Sequence, residues 1–207
     1  MIVDASRLPR KTLRAGTRLY RIHRVRSGPW FFSSGTGRFD PTGIDDRGAC
    51  YWAEDDLGAW IEAFRTRMLL PESEIEGRWL SMATLSETVV ACDLTVRRAL
   101  KVGVTSALTA GTDYSGSQAI ADRLQGKRAA VRWRVRHDLR QRLIGVAWFG
   151  EVGPATTKAL ADLPATDTTE IPDDVIERAC RIFGYEVLPN PPSLCDGERR
   201  CRGPLEQ

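Results

Sequence analysis

Between Gly35 and Phe64 the chain gathers residue types suited to holding a nucleotide. Gly35-Thr36-Gly37-Arg38-Phe39-Asp40-Pro41-Thr42-Gly43 is a glycine-rich turn that carries an arginine. Cys50-Tyr51-Trp52-Ala53 is an aromatic strand, and Glu54-Asp55-Asp56 leads into a helix with Glu62 on its second turn. Glycine lets backbone approach a ligand closely, and the planar five-donor fork of Arg38 suits phosphate oxygens. Tyr51 and Trp52 offer faces for a flat ring. No one of these parts is specific by itself.

Flanking elements must position these groups. Arg18 to Val25 reads as a strand, with Leu19, Arg21, His23 and Val25 on one face and Tyr20, Ile22 and Arg24 on the other. Leu57, Trp60, Ile61, Phe64 and Met68 form an i, i+3, i+4, i+7 stripe, so a helix is expected from Leu57 to Met68, capped by Asp55 or Asp56. Glu62 then points off the core-facing side. It is either a solvated carboxylate near Arg65 or a group at a cleft edge beside Gly58. Leu69 to Glu87 reads as a polar connection, Thr88 to Leu94 as a central strand, and Val96 to Val104 as a further connection. Ser115 and Gln118 have capping-box spacing at the start of a helix that runs to Leu124, where hydroxyls and amides could also face an anion. Val131, Trp133 and Val135 alternate with Arg132, Arg134 and Arg136, and an apolar strand from Leu143 to Phe149 makes a hairpin with its loop near His137 to Gln141. Pro172 to Phe183 is an amphipathic helix. Residues 1–17 read as a lead-in, and 189–207, rich in proline at the start and poor in apolar residues, as a disordered tail.

Composition bounds the function. The 207 residues, 42% hydrophobic and 28% charged, suit one soluble domain, and the net charge of +3 is too small to announce a nucleic-acid binder. The charge is uneven, however. Arg128, Arg132, Arg134, Arg136 and Arg140 fall within Arg128–Arg142, a basic strand region that is either solvated or an interface for nucleic acid or an acidic protein. Five cysteines without a C-x-x-C pair, and no leader-like or membrane-spanning apolar run, point to a reduced, cytoplasmic setting. With only His23 and His137 as imidazoles, no metal site is expected.

In order and spacing, these pieces resemble the RES-domain family. Leu19-Tyr20-Arg21 resembles its opening strand, and Gly37-Arg38-Phe39-Asp40-Pro41 resembles its G-R-W-N-P turn. Tyr51-Trp52-Ala53-Glu54-Asp55, with Ala59 and Glu62, resembles its Y-L-A-[DE]-S…A…E segment. Asp113-Tyr114-Ser115-Gly116-Ser117-Gln118-Ala119 resembles its D-W-S-G-x-Q-A segment. Phe39 replaces the usual Trp and Asp40 the usual Asn, Ile22 stands where some members keep Tyr, and Val135 aligns with a Ser of some members.

The resemblance implies an α+β fold over residues 18–188, like that of ADP-ribosyltransferase toxins, with a split mixed β-sheet around a NAD cleft. It implies cleavage of the nicotinamide–ribose bond of NAD by phosphorolysis or hydrolysis, or ADP-ribosyl transfer, in a toxin neutralised by a separate antitoxin protein. Carried over, Arg21, Glu62 and Ser115 are the catalytic candidates, and Gly37, Arg38 and Tyr51 line the substrate. NAD is then a substrate rather than a cofactor, inorganic phosphate is a candidate co-substrate, and self-association is left open. Two other classes compete: a nucleic-acid-binding module using the basic strand region, and a non-catalytic protein that binds NAD without consuming it.

Overall fold

The computed structural model describes residues 5–44, 46–156 and 162–190. Its centre is a mixed eight-stranded sheet. The strands are β1 (Arg10–Leu13), β2 (Arg18–Arg24), β4 (Arg47–Ala53), β6 (Arg78–Thr84), β7 (Val89–Asp93), β8 (Ala130–Arg134), β9 (Ile144–Glu151) and β11 (Thr166–Glu170), in the order β1-β7-β8-β9-β4-β2-β6-β11. Only β7 and β8 pair in parallel within it, across a crossover that contains α3 (Ser106–Ala110) and α4 (Ser115–Leu124). Two short pairs flank the sheet: β3 (Phe31–Phe32) with β10 (Gly153–Pro154), and β5 (Leu69–Pro71) with β12 (Glu186–Leu188).

Alternation along β4 sorts the core. Ala49, Tyr51 and Ala53 face the helices, with α4 contributing Ile120, Ala121 and Leu124, and α1 (Asp56–Phe64) contributing Leu57, Trp60, Ile61 and Phe64. Cys50 and Trp52 face the other way, into a layer with Leu19, Trp30, Phe32 and Trp148. Joining these layers, β2 and β4 pair only at Tyr20–Ala53. Beyond that point β2 keeps its register with β6 and β4 its register with β9, so the sheet opens into a wedge.

Several sequence expectations change here. The stretch 69–87 is not a polar connection: Glu72–Glu76 forms a short helix α2, and Arg78–Thr84 is the strand that pairs with all of β2. Its alternation was masked because Glu72, Glu74 and Glu76 precede it directly. The lead-in supplies β1, the sheet's edge beside β7. β7 accordingly lies one strand from that edge and not at the centre. The first long helix is capped by Asp55, whose Oδ1 accepts the Leu57 amide at 2.8 Å, but it ends at Phe64 and leaves Met68 exposed. Gly58 does not open toward a cleft, because it packs under Ala53, where a β-carbon would sit 2.9 Å from the alanine's own. The helix from Asp173 to Phe183, here α5, and the β8–β9 hairpin form as expected. The proposed tail lies, from residue 191 onward, outside the described residues.

The basic strand does not present one basic face. Arg132 turns into a bidentate pair with Glu54 (2.5 and 2.9 Å) and reaches Asp93 at 3.2 Å, and Arg134 donates to the Gln141 carbonyl. The hairpin loop is closed by buried Asp138, whose carboxylate accepts the amides of Arg140 (3.0 Å), Arg142 (2.5 Å) and Leu143 (2.7 Å). No helix among the described residues is long and apolar enough to cross a membrane.

The glycine turn is built around Asp40, which is fully buried and accepts from Tyr51 Oη (2.7 Å), the Gly37 amide (2.7 Å), the Thr36 amide (3.2 Å) and Ser33 Oγ (3.1 Å). Every partner is a donor, so a carboxylate serves where the family pattern has an amide. Gly37 is required because a β-carbon there would overlap the Tyr51 hydroxyl.

Two stability measurements test these anchors. Asp138→Ala should lower the urea unfolding free energy by about 2 kcal/mol, since hydrogen bonds to a charged acceptor are each worth about 1.5–3 kcal/mol and the loop can rehydrate in part. Tyr51→Phe removes one donor from the buried Asp40 carboxylate and one acceptor from the Phe39 amide, and should cost about 2 kcal/mol. A Tyr51→Phe protein as stable as the wild type would show that the turn stands without its strut.

Candidate active site

The wedge between β2 and β4 is a cleft of about 370 Å³, a volume in the range of small-ligand sites. Because β2 has no neighbour on that side past Tyr20, both of its faces border the opening, and Tyr20, Arg21, Ile22, His23 and Arg24 all line it. The opposite walls carry Arg38, Tyr51, Trp52 and Tyr114, together with Trp133, Arg136 and His137 from the hairpin. α1 supplies Glu62 and Ala63. Six arginines therefore surround a single carboxylate, Glu62.

Arg21 is half-buried and donates through Nη1 to Cys50 Sγ across the split. Among the described residues it has no carboxylate partner, so the rest of its fork is open to the cleft. Arg38 is more committed. Nη1 donates to the Leu108 carbonyl at 3.1 Å, Nη2 to the Gly111 carbonyl at 2.9 Å, and its guanidinium lies 4.5 Å from the Tyr114 ring centre. It thus ties the glycine turn to the segment before α4 while bordering the cleft. Tyr51 faces the cleft with its ring, but its hydroxyl is held by Asp40, which, after burial, pushes its pKa well up.

Glu62 is half-buried and lines the cleft, one of the two placements its position off the apolar stripe of α1 left open. Burial pushes its carboxyl above the ordinary glutamate value, against the pull first of Arg65 and then of Arg38. His23 is buried. Its Nδ1 meets the Arg24 carbonyl at 3.0 Å and its Nε2 meets Ser81 Oγ at 2.8 Å, with Ser81 in turn 2.6 Å from Thr168 Oγ1. Burial pulls the His23 imidazole below its usual pKa, and burial and then Arg136 do the same at His137.

Ser115 is not among the cleft-lining residues. It is exposed, and the expected S-x-x-Q capping box is absent. Asp113 reaches the helix start first, accepting the Ser115 amide at 2.9 Å, and Tyr114 takes the N-cap position. Gln118, released from capping, donates instead to the carbonyls of Gly35 (3.3 Å) and Gly37 (3.1 Å) and braces the glycine turn. The structure therefore brings Arg21, Gly37, Arg38, Tyr51 and Glu62 to one cleft and leaves Ser115 one residue outside it.

Arg24, Arg65, Arg78, Tyr114, Trp133, Arg136 and His137 were not read from the sequence as site residues. Arg136 carried a signal through the hairpin that folds its strand end back beside β9, and Tyr114 through its place in the segment resembling D-W-S-G-x-Q-A. Val135, aligned with a Ser of some relatives, is a fully buried core residue. Among the described residues no cluster of His, Cys, Asp or Glu could hold a metal ion.

Comparison with known proteins bears on the same region. No curated protein matches this chain. Among solved structures, a chain of the crystal structure of the M. tuberculosis MbcT–MbcA toxin–antitoxin complex shares the fold, with a TM-score of 0.59 over 81% of this chain and 91% of that one, at 16% identity. The RES domain family matches residues 18–171, a span that contains β2, the glycine turn and α1. With all three cleft-forming elements inside that span, the chain belongs to the RES domain family.

Proposed function

We propose that this chain is a NAD-consuming enzyme that breaks the nicotinamide–ribose bond, and that it acts as a toxin held in check by a separate antitoxin protein. The observation that carries the reading is one half-buried carboxylate, Glu62, facing an arginine-lined cleft that opens where the sheet divides. That division supports the resemblance to the ADP-ribosyltransferase toxin fold. Membership in the RES domain family, and fold likeness to a chain from a toxin–antitoxin complex, support the toxin role.

Breaking the bond builds oxocarbenium character at the ribose C1″, as in glycoside hydrolysis. Nicotinamide leaves as a neutral base carrying the bond's electron pair, so no general acid is needed. Glu62 supplies the negative charge that stabilises the cationic ribose and orients its hydroxyls. The open fork of Arg21 and the cleft-facing side of Arg38 bind the pyrophosphate oxygens. Tyr51 and Tyr114 line the ring or ribose, and Ser115 keeps a place only at the rim. A water oxygen then bonds to C1″ and releases one proton to solvent, or an unprotonated oxygen of inorganic phosphate bonds there with no proton to lose. Incubating the purified protein with NAD, with and without phosphate or added protein, and identifying the products, separates hydrolysis, phosphorolysis and ADP-ribosyl transfer. Undiminished NAD in every mixture would overturn the reading.

Glu62→Gln keeps the shape and removes the charge. NAD consumption should fall on the order of 10²–10³-fold, the usual loss of a transition-state electrostatic partner. Because burial raises the Glu62 pKa in the folded state, the ionised form costs stability near neutrality, and that cost disappears as pH falls through the raised pKa. The Gln variant should therefore melt at or above the wild-type temperature at pH 7. For the same reason, wild-type turnover should decline with falling pH at a midpoint above that of an ordinary glutamate. A Gln variant with full activity would remove Glu62 from the mechanism.

In cells, expression should deplete NAD and arrest growth, and Arg21→Ala should relieve both. Arrest at undiminished NAD would point to a macromolecular target instead.

A further inference from the structure

The backbone at Arg65 is out of keeping with its residue type. Helix α1 ends in a tight reversal, Phe64-Arg65-Thr66-Arg67, closed by the Arg67 amide donating to the Phe64 carbonyl at 3.2 Å. Arg65 is the second residue of this turn, at φ 56° and ψ −121°. These angles match the first central position of a type II′ turn, which glycine normally fills because a β-carbon crowds the neighbouring backbone there. Arg65 is one of two non-glycine residues with positive φ among the described residues, and it lines the cleft.

The conformation is held from both sides. The Arg65 amide donates to the Ile61 carbonyl at 2.8 Å, and its carbonyl accepts the hydroxyl of buried Tyr185 at 2.5 Å. The Tyr185 ring rests against Trp60 at 5.7 Å between centres, so the pin belongs to the core that carries α1. Arg65 is exposed, and its guanidinium comes within ion-pair distance of no carboxylate among the described residues, Glu62 included. Such strain persists at functional sites, where the side chain is needed in that place.

We infer that Arg65 is a positioning residue for Glu62: three residues on, just past the helix end and on the same cleft, its guanidinium is a longer-range counter-charge to the cleft's only carboxylate. The inference rests on the proposed role of Glu62 in consuming NAD. Arg65 is also the first influence opposing the upward push of burial on the Glu62 carboxyl. Glu62 shares the cleft with Arg38 from the glycine turn, Tyr51 from β4, Tyr114 before α4, Arg21, His23 and Arg24 from β2, Arg78 from β6, and Arg136 and His137 from the hairpin. Of these, only Arg38 joins Arg65 in drawing the Glu62 pKa down.

The test is Arg65→Gly, with Arg65→Lys as the charge-keeping control. Glycine suits the turn, so its melting temperature should equal or exceed the wild type's. NAD turnover should nonetheless fall at least tenfold, and the acid limb of kcat should move to higher pH. Arg65→Lys should recover most of the turnover and return the acid limb toward its wild-type position. A Gly variant with wild-type turnover and an unmoved acid limb would overturn the inference. If the wild type does not consume NAD, the enzymatic reading fails by itself. The influence of Arg65 on Glu62 is then read from the Glu62 carboxyl titration by carbon NMR, assigned by its loss in Glu62→Gln. An upward shift in Arg65→Gly supports the inference, and an unchanged midpoint overturns it.

Discussion

Everything that resembles an active site depends on the parting of two strands. β2 and β4 share one register pair, Tyr20 with Ala53, and then follow different neighbours. A strand normally satisfies its backbone on both edges, and a bare edge inside a protein is costly unless something polar meets it. Here the free edge of β2 is bordered by arginines, and the Arg21 guanidinium reaches across to Cys50. The opening is therefore polar and positively charged by construction, which suits an anionic, partly aromatic ligand.

The interior pays for this in uncompensated charge. Arg38 spends two donors on carbonyls and lies over Tyr114, so it is structural and cleft-facing at once. Glu62 is the opposite case, since burial works against its charged form. Functional sites often retain such local instability, and the surrounding core holds it in place. That core is substantial: Trp60 and Phe64 pack in a tilted pair 4.4 Å between centres on the helix that carries Glu62, and Phe39 packs 4.9 Å from Trp133 beneath the glycine turn.

Much of this was legible in the sequence because it lies in local patterns. The apolar stripe of α1 sets which way Glu62 points, and Arg21, Gly37, Arg38 and Tyr51, on which the resemblance was read, all fall inside the span that matches the family. What stayed hidden depends on contacts between distant residues. β6 became visible only through its pairing with β2, since the acids of α2 disguised it as a loop. The capping box at Ser115 failed because Asp113 satisfied the helix start first, a competition that spacing alone does not rank. The arginines after Arg128 read as one face, whereas Glu54 and Asp93, far away in sequence, take Arg132 out of it. Arg65 gave no signal, because its backbone angles belong to the turn and not to the side chain.

The second helical layer has a mechanical meaning. α5 and the strand after it lie beyond residue 171, where the family match ends, yet they grip α1 at both ends. Arg178 holds Asp56 at 2.7 Å at the start of α1, and Tyr185 holds the Arg65 carbonyl at its close. The helix that carries the carboxylate is thus clamped like a beam between two supports, neither of which borders the cleft. Loosening the Arg178 support would change the stiffness with which Glu62 is presented without touching a cleft-lining residue, whereas loosening Tyr185 would also free Arg65, which lines the cleft.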